Sequence, residues 1–454
     1  MADLVLTDIT VLVPAWGERP LAGAWLAVTD GRVEAMGTGA PPRAAETLDC
    51  RGGLVIPGAV SAHHHLFQGA SRGVPAPGGL LDWLTVHYRA WARLTEPDVE
   101  AAATLSLALL ALGGATTVAA FEYLHPADAN LVDPVVRAAE RVGLRLLYVR
   151  GCAPRLEGPL AERLAAEGVA IERLVEPEDR ALAGTAATLA RPATDRLRWA
   201  CGPTTPVLDD DGAFHHALTE VADAHRVPMH THFHPIPGSL RDGETPGTLA
   251  ARLGLLRRGN WFAHGSRLSP DDVRELGAAG VGVVHAPSCS LVLGYPVVPL
   301  RRWSAVNERV AIAVDGAASN DRGNTLLEAQ LAWQLQRAVH GPAGEALEAA
   351  EVLRLATEGG ARAIGWEGLG RLAVGGPADL AVVDLGALEQ AGVPAIAHAD
   401  PATMLFRTYA GGPVRHLLVG DRVVVRDARL TGVDAAAVTA AANAAAERLY
   451  ASVR

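Results

Sequence analysis

The sequence predicts an α/β fold: a (β/α)8 TIM barrel carrying a small composite β-sandwich domain built from both chain ends. Three observations predict it. Eight short, nearly continuous apolar runs alternate with helix-like stretches through the middle of the chain, the pattern of parallel strands buried on both faces. Turn-punctuated β runs of a different style occupy both ends. The length of 454 residues exceeds one small core and suits a barrel plus a minor domain.

The boundaries follow from these styles. Residues 1–57 form the N-terminal part of the small β domain, with LVLTDITVLV and AWLAVTDGRVEAMG as strands and Asp30-Gly31 as a hairpin turn. Residues 58–365 form the barrel. Its strands are LVIPGAVSAHHH, which begins at residue 54, then ATTVAAFEY, LRLLYVRGC, LRWACGPTTP, VPMHTHFH, NWFAHGS, VGVVHAPS and VAIAVDGAASN. DVEAAATLSLALLALG and PDDVRELGAAG read as helices between them. Residues 366–454 return to the small domain through ADLAVVDL and VRHLLVGDRVVVRDARL, turning at Gly420-Asp421, and end in an Ala-rich helix at about 434–452. An open doubly wound sheet is the rival fold. The absence of a G-x-G-x-x-G turn after an early strand weighs against it.

Composition excludes several function classes. Hydrophobic residues make up 49% and charged residues 20%, as in ordinary globular proteins. A formal net charge of −10 without long single-sign runs speaks against a nucleic-acid or anionic-membrane surface. The four cysteines, Cys50, Cys152, Cys201 and Cys289, are scattered and form no C-x-x-C pair. No secretory signal and no apolar run long enough to span a membrane are visible, so the expected location is the cytoplasm.

The chemistry gathers where the apolar runs stop. His63 and His65 end the first run; His230, His232 and His234 end the fifth; His264, His285 and Asp315 end the sixth to eighth. In a barrel these ends share one face, where active sites sit. A lone histidine at a strand end is usually structural, but recurrence at several ends points to a metal site. Imidazoles and a carboxylate suit Zn2+, with Fe2+ or Mn2+ fitting the same donors. Alternation places His63 and His65 on one side and His64 on the other. The same rule makes His230, His232 and His234 co-facial and does not choose among them. A metal held there would lower the pKa of its bound water to about 7.

The motifs resemble those of the amidohydrolase superfamily. PGAVSAHHHLFQ resembles its first-strand element, and HTHFH, WFAHG, VVHAPS and VDGAASND resemble the elements after strands five to eight, in order. GRLAVGGPADLAVVDL with VRHLLVGDRVVV resembles its small β domain. HHHLFQ, LLDWLTVHYRAWARLTEPDV and VDGAASND bring the 8-oxoguanine deaminase and triazine hydrolase (atrazine chlorohydrolase-like) branch nearest. The resemblance implies His63, His65, His232 and Asp315 as metal ligands. It implies His264 beside the reactive water and Asp315 as its proton acceptor. Gln68 is the candidate for a substrate hydrogen bond, and His285 lines the pocket or serves as a bonded strand end. Trp83 is a stacking wall or a packing residue, and Asn320 and Asp321 brace their loop. A homodimer is a family-level expectation.

One position departs from the pattern. Heterocycle deaminases of this kind carry His-x-x-Glu after strand five, whereas here the fourth position is Pro235. Loss of such an acid/base typically costs about 10²–10⁴ in rate. Two substitutes are visible, His234 and Glu122, and a substrate needing less proton assistance is a third route. The leading expectation is a hydrolytic deaminase of a small nitrogen heterocycle. The alternatives are a hydrolase with a different leaving group or a ring-opening cyclic amidase, and a catalytically silent ligand-binding relative. Segments 68–90, 151–175 and 233–248 are the expected specificity loops.

Overall fold

The computed structural model describes residues 1–76, 78–206, 212–235, 240–341 and 347–451. Parts of two expected specificity loops, at 77 and 236–239, lie outside these residues, as do 452–454 at the end of the expected last helix.

The two chain ends pair as expected. Strands β1 (Ala2–Leu12), β2 (Leu21–Thr29), β3 (Arg32–Thr38) and β4 (Ala44–Pro57) join four strands from the far end. They share one eight-stranded ladder, with β4 antiparallel to the first C-terminal strand through pairs such as Val55 with Val382. The expected sandwich of two sheets is therefore replaced, in hydrogen-bonding terms, by a single continuous sheet. Its apolar face, including Leu6, Leu26, Val33, Leu48, Leu380 and Leu418, encloses its own buried cluster. The β2–β3 turn is made by Asp30 (φ 50°) and Gly31 (φ 69°), both left-handed as the Asp-Gly pair predicts.

The barrel follows. β5 (Ala59–His64), β6 (Ala115–Glu122), β7 (Arg145–Cys152) and β8 (Leu197–Pro203) form one parallel sheet. β9 (His230–Phe233), β10 (Trp261–His264), β11 (Gly282–His285) and β12 (Val310–Ile312) form another. The sheets meet at both seams. A parallel bridge links Cys201 to Met229, and the Asp315 N–H donates to His63 O at 3.2 Å. The far-end strands β13 (Leu380–Val383), β14 (His416–Val419), β15 (Arg422–Arg426) and β16 (Arg429–Leu430) complete the composite sheet.

The sequence joined residues 54–65 into one strand, and the structure divides them. β4 ends at Pro57 in the composite sheet and β5 starts at Ala59 in the barrel. Gly58 makes the transfer. A Cβ there would lie 2.3 Å from the Thr116 side chain, so only glycine lets the chain pass this close to β6. The expected helices occupy Glu96–Leu112, Pro270–Ala278 and Ala435–Tyr450. Among the described residues no helix is long and apolar enough to cross a membrane.

Candidate metal centre

His63, His65, His232, His264 and Asp315 converge at the C-terminal ends of the barrel strands. His63 is the penultimate residue of β5, and His65 precedes a 3-10 turn at Leu66–Ser71. His232 lies in β9 and His264 ends β10. Asp315 stands three residues beyond β12. His63 Nε2 is 3.0 Å and His65 Nε2 3.4 Å from Asp315 Oδ1. The His232 and His264 rings stack at 5.3 Å with planes 20° apart. His63, His232 and His264 also bring one ring nitrogen each within 4.8 Å of the others.

The hydrogen bonds around these rings determine where their lone pairs point. A backbone carbonyl only accepts, so a ring nitrogen facing one carries the proton. His65 Nδ1 donates to Phe121 O, and His232 Nδ1 donates to Thr204 O at 2.8 Å. His230 Nδ1 donates to Trp261 O at 2.8 Å. A neutral imidazole has one N–H, so the Nε2 of each is a bare lone pair. The lone pair on His230 Nε2 accepts from His63 Nδ1 at 2.8 Å. That leaves His63 Nε2 bare as well and turned toward Asp315. Burial keeps these rings neutral: it pushes His63 down to about 3, lowers His65, and takes His230 and His232 well below the ordinary imidazole range.

Three bare imidazole nitrogens and a carboxylate oxygen thus face one another. His65 Nε2 and His232 Nε2 are only 3.0 Å apart, with no proton available between them. His63 Nε2 and Asp315 Oδ1 are buried and make no hydrogen bond among the described residues, despite their 3.0 Å separation. Such an arrangement of acceptors is repulsive unless a cation lies among them. The donor set of three imidazoles and one carboxylate fits zinc or a similar divalent ion.

The backbone also marks the site. His264 (φ 72°) and Asp315 (φ 66°) both hold left-handed conformations, each followed by glycine. Such conformations cost roughly 1–3 kcal/mol for residues with a Cβ and persist where surrounding contacts fix them. For Asp315 the contacts are its N–H to His63 O and Ser319 Oγ donating to Oδ2 at 2.6 Å.

The remaining predicted residues fall into two groups. His234 and His285 offer polar atoms without partners: both ring nitrogens of each are buried and unbonded among the described residues. His234 packs its ring on Tyr295 at 4.1 Å, and Pro235 beside it is buried. Burial, then the field of His264, pushes His234 down to about 4 and His285 to about 3. Glu122, Gln68 and Trp83 are instead engaged by the protein. Glu122 Oε1 accepts from Leu66 N–H at 2.6 Å and Oε2 from Phe67 N–H at 3.2 Å, fixing the turn after His65. Burial raises the Glu122 carboxyl to about 8, opposed by those two backbone N–H groups. Gln68 Oε1 accepts from Ala318 N–H at 3.4 Å and lies against Gly316. Trp83 Nε1 donates to Ala318 O at 3.0 Å. Asn320 Nδ2 donates to Val314 O at 2.9 Å, and Asp321 caps Gly73, so both brace the loop. His64 is buried and belongs to none of the ligand-distance groups.

Sequence reasoning left His230 open beside His232 and His234, and passed over Ser319, Cys289 and Tyr295. His230 carried a signal in its alternation with His232. Ser319 and Cys289 lie one helical turn beyond Asp315 and His285, a spacing that places them back against the site. Tyr295 carried none.

Comparison with known proteins gives a consistent picture. The sequence model described as "Amidohydrolase family" matches residues 54–424. An 8-oxoguanine deaminase from Pseudomonas aeruginosa is 33% identical over 447 residues, covering 95% of this chain and 96% of that protein. A hydroxydechloroatrazine ethylaminohydrolase from Pseudomonas sp. strain ADP is 30% identical over 468 residues, covering 94% and 92%. The crystal structure of an atrazine chlorohydrolase from Arthrobacter aurescens TC1 complexed with zinc superposes with a TM-score of 0.87 at 26% identity, covering 98% of this chain and 100% of that one.

Proposed function

The chain belongs to the amidohydrolase family, and on that premise we propose that it hydrolyses a carbon–nitrogen bond of a small nitrogen heterocycle, most simply as a hydrolytic deaminase. The observation that carries this reading is the meeting of three bare Nε2 atoms: those of His63 and His65 lie 3.0 and 3.4 Å from Asp315 Oδ1, and that of His232 lies 3.0 Å from the Nε2 of His65. The relatives named as deaminases of 8-oxoguanine and isoxanthopterin support the substrate class.

His63, His65, His232 and Asp315 would hold a divalent metal, with zinc favoured by the zinc-complexed neighbour and iron or manganese compatible with the donors. Bound there, the metal supplies Lewis acidity and makes water nucleophilic near neutral pH. The protein residues do the rest. Asp315, whose Oδ2 accepts from Ser319 Oγ, is the group we assign to take a proton from the attacking water. His264, stacked on His232, stands beside the ligand cluster to orient the water and stabilise the developing oxyanion. His234, with both nitrogens unbonded, is the group we assign to carry the proton to the leaving nitrogen in place of the glutamate that Pro235 displaces. Glu122 is a weaker substitute, because both its oxygens already hold the 66–67 backbone.

Pro235 also favours a second reading, in which the same site expels a leaving group needing little protonation or opens a cyclic amide or amidine. Product analysis separates the two. Stoichiometric ammonia from amino-substituted purines, pterins or triazines supports deamination. Substrate consumed without ammonia supports the second reading.

A further inference from the structure

The metal-facing cluster extends past the four ligands. Cys289 lies in the helix Pro287–Val292 that follows β11, and it is fully buried. Its Sγ is 4.0 Å from His264 Nδ1. His264, Cys289 and Asp315 each bring one ligand atom within 4.8 Å of the other two. In a tetrahedral zinc site, bonds of about 2.0–2.1 Å to nitrogen and about 2.3 Å to sulfur give an N···S edge near 3.6 Å. A closure of a few tenths of an ångström therefore completes the edge. Asp315 is 5% exposed, and its Oδ1 is buried without a hydrogen bond among the described residues. A carboxylate between two donor groups is the usual bridge of paired metal sites.

We infer that His264, Cys289 and Asp315 form a second cation site, for a soft divalent ion such as Zn2+, Co2+ or Cd2+, adjoining the first through Asp315. The thiol makes this position selective, since sulfur favours zinc-like ions over magnesium or calcium. Filling it forms an S–metal bond, breaks the S–H bond and releases that proton to water. It also engages the imidazole of His264 and a lone pair of Asp315, the groups assigned above to the water. The second ion is therefore inhibitory: the enzyme works with one metal and is switched off by excess. The inhibition rests on the proposed function, whereas the site itself does not.

Stepwise Co2+ titration of metal-stripped full-length protein tests it, with near-ultraviolet thiolate-to-cobalt charge transfer as a readout independent of turnover. The first equivalent is expected to bind without a sulfur band. A second is expected to bring the band and abolish turnover. Cys50, Cys152 and Cys201 are buried and belong to no ligand-distance group among the described residues, so the band reports Cys289. Cys289→Ser is expected to keep the first equivalent and lose the second together with the band. Absence of a sulfur band in the wild type at excess Co2+ overturns the site without requiring any variant to fold. A sulfur band at the first equivalent overturns the two-position assignment. A second equivalent and band without inhibition would uphold the site and overturn its regulatory role.

Discussion

His65 and His232 turn their Nε2 atoms toward each other at 3.0 Å while each gives its Nδ1 proton to a backbone carbonyl. Two lone pairs held that close have no stabilising contact of their own. The carbonyls of Phe121 and Thr204 orient the rings, and a cation resolves the repulsion. The fold therefore fixes the tautomers before any metal arrives.

His230 extends this control to His63. Replacing His230 with phenylalanine removes the acceptor that holds the His63 proton on Nδ1. Metal affinity is expected to fall by roughly 10–100-fold, measured by competition with a chelator. A glutamine at 230, whose amide oxygen can accept, is expected to restore part of the loss. Unchanged affinity in the phenylalanine variant would contradict the tautomer relay.

His234 is expected to matter for the rate. Its substitution by alanine should lower kcat by about 10²–10⁴ at full metal occupancy, with added imidazole recovering part of the activity. A variant that turns over normally would leave the proton step to another group.

Glu122→Gln places an amide donor against one of two backbone N–H groups. A stability loss of about 1–3 kcal/mol is expected, with turnover per folded, metal-loaded molecule within about tenfold of wild type. A hundredfold drop with unchanged thermal stability would instead give Glu122 a chemical role.

His87 sets a pH dependence away from the metal. It is buried, stacks on Trp91 at 5.2 Å and pairs with Tyr450 Oη at 2.7 Å. Burial pushes its pKa from 6.5 down to about 4. The unfolded chain therefore binds this proton in a range where the folded chain does not, and stability falls as pH drops from about 6.5 to about 4. The contribution is roughly 3 kcal/mol across that window. His87→Gln should flatten the stability difference between pH 7 and pH 4.5 in denaturant titrations. An unaltered difference would contradict the assignment.

Much of this was legible in the sequence because it depends on periodicity. Continuous apolar runs gave the barrel strands, and the histidines at their ends mark one face of it. The Asp30-Gly31 and Gly420-Asp421 pairs marked turns between paired strands. What alternation could not resolve was direction in three dimensions. Residues 54–65 read as one strand because nothing local distinguishes Gly58 as a transfer point; only the approach of Thr116 does. His230 and His232 share a face, yet one serves as a hydrogen-bond acceptor and the other turns a bare nitrogen to the cluster, because their carbonyl partners differ: Trp261 begins β10 and Thr204 follows the end of β8. Glu122 looked like a carboxylate at the barrel mouth, and only tertiary structure reveals the two N–H groups that claim it. Cys289 carried only its one-turn spacing from His285, and nothing local joins it to His264 and Asp315, 25 and 26 residues away.

The most direct test of the account is ammonia release by chelator-stripped protein before and after addition of one equivalent of Zn2+, using a panel of amino-substituted purines, pterins and triazines. The account predicts no release from the stripped protein and turnover restored by that single equivalent. Equal ammonia release with and without metal would contradict it, as would failure of the stripped protein to bind zinc.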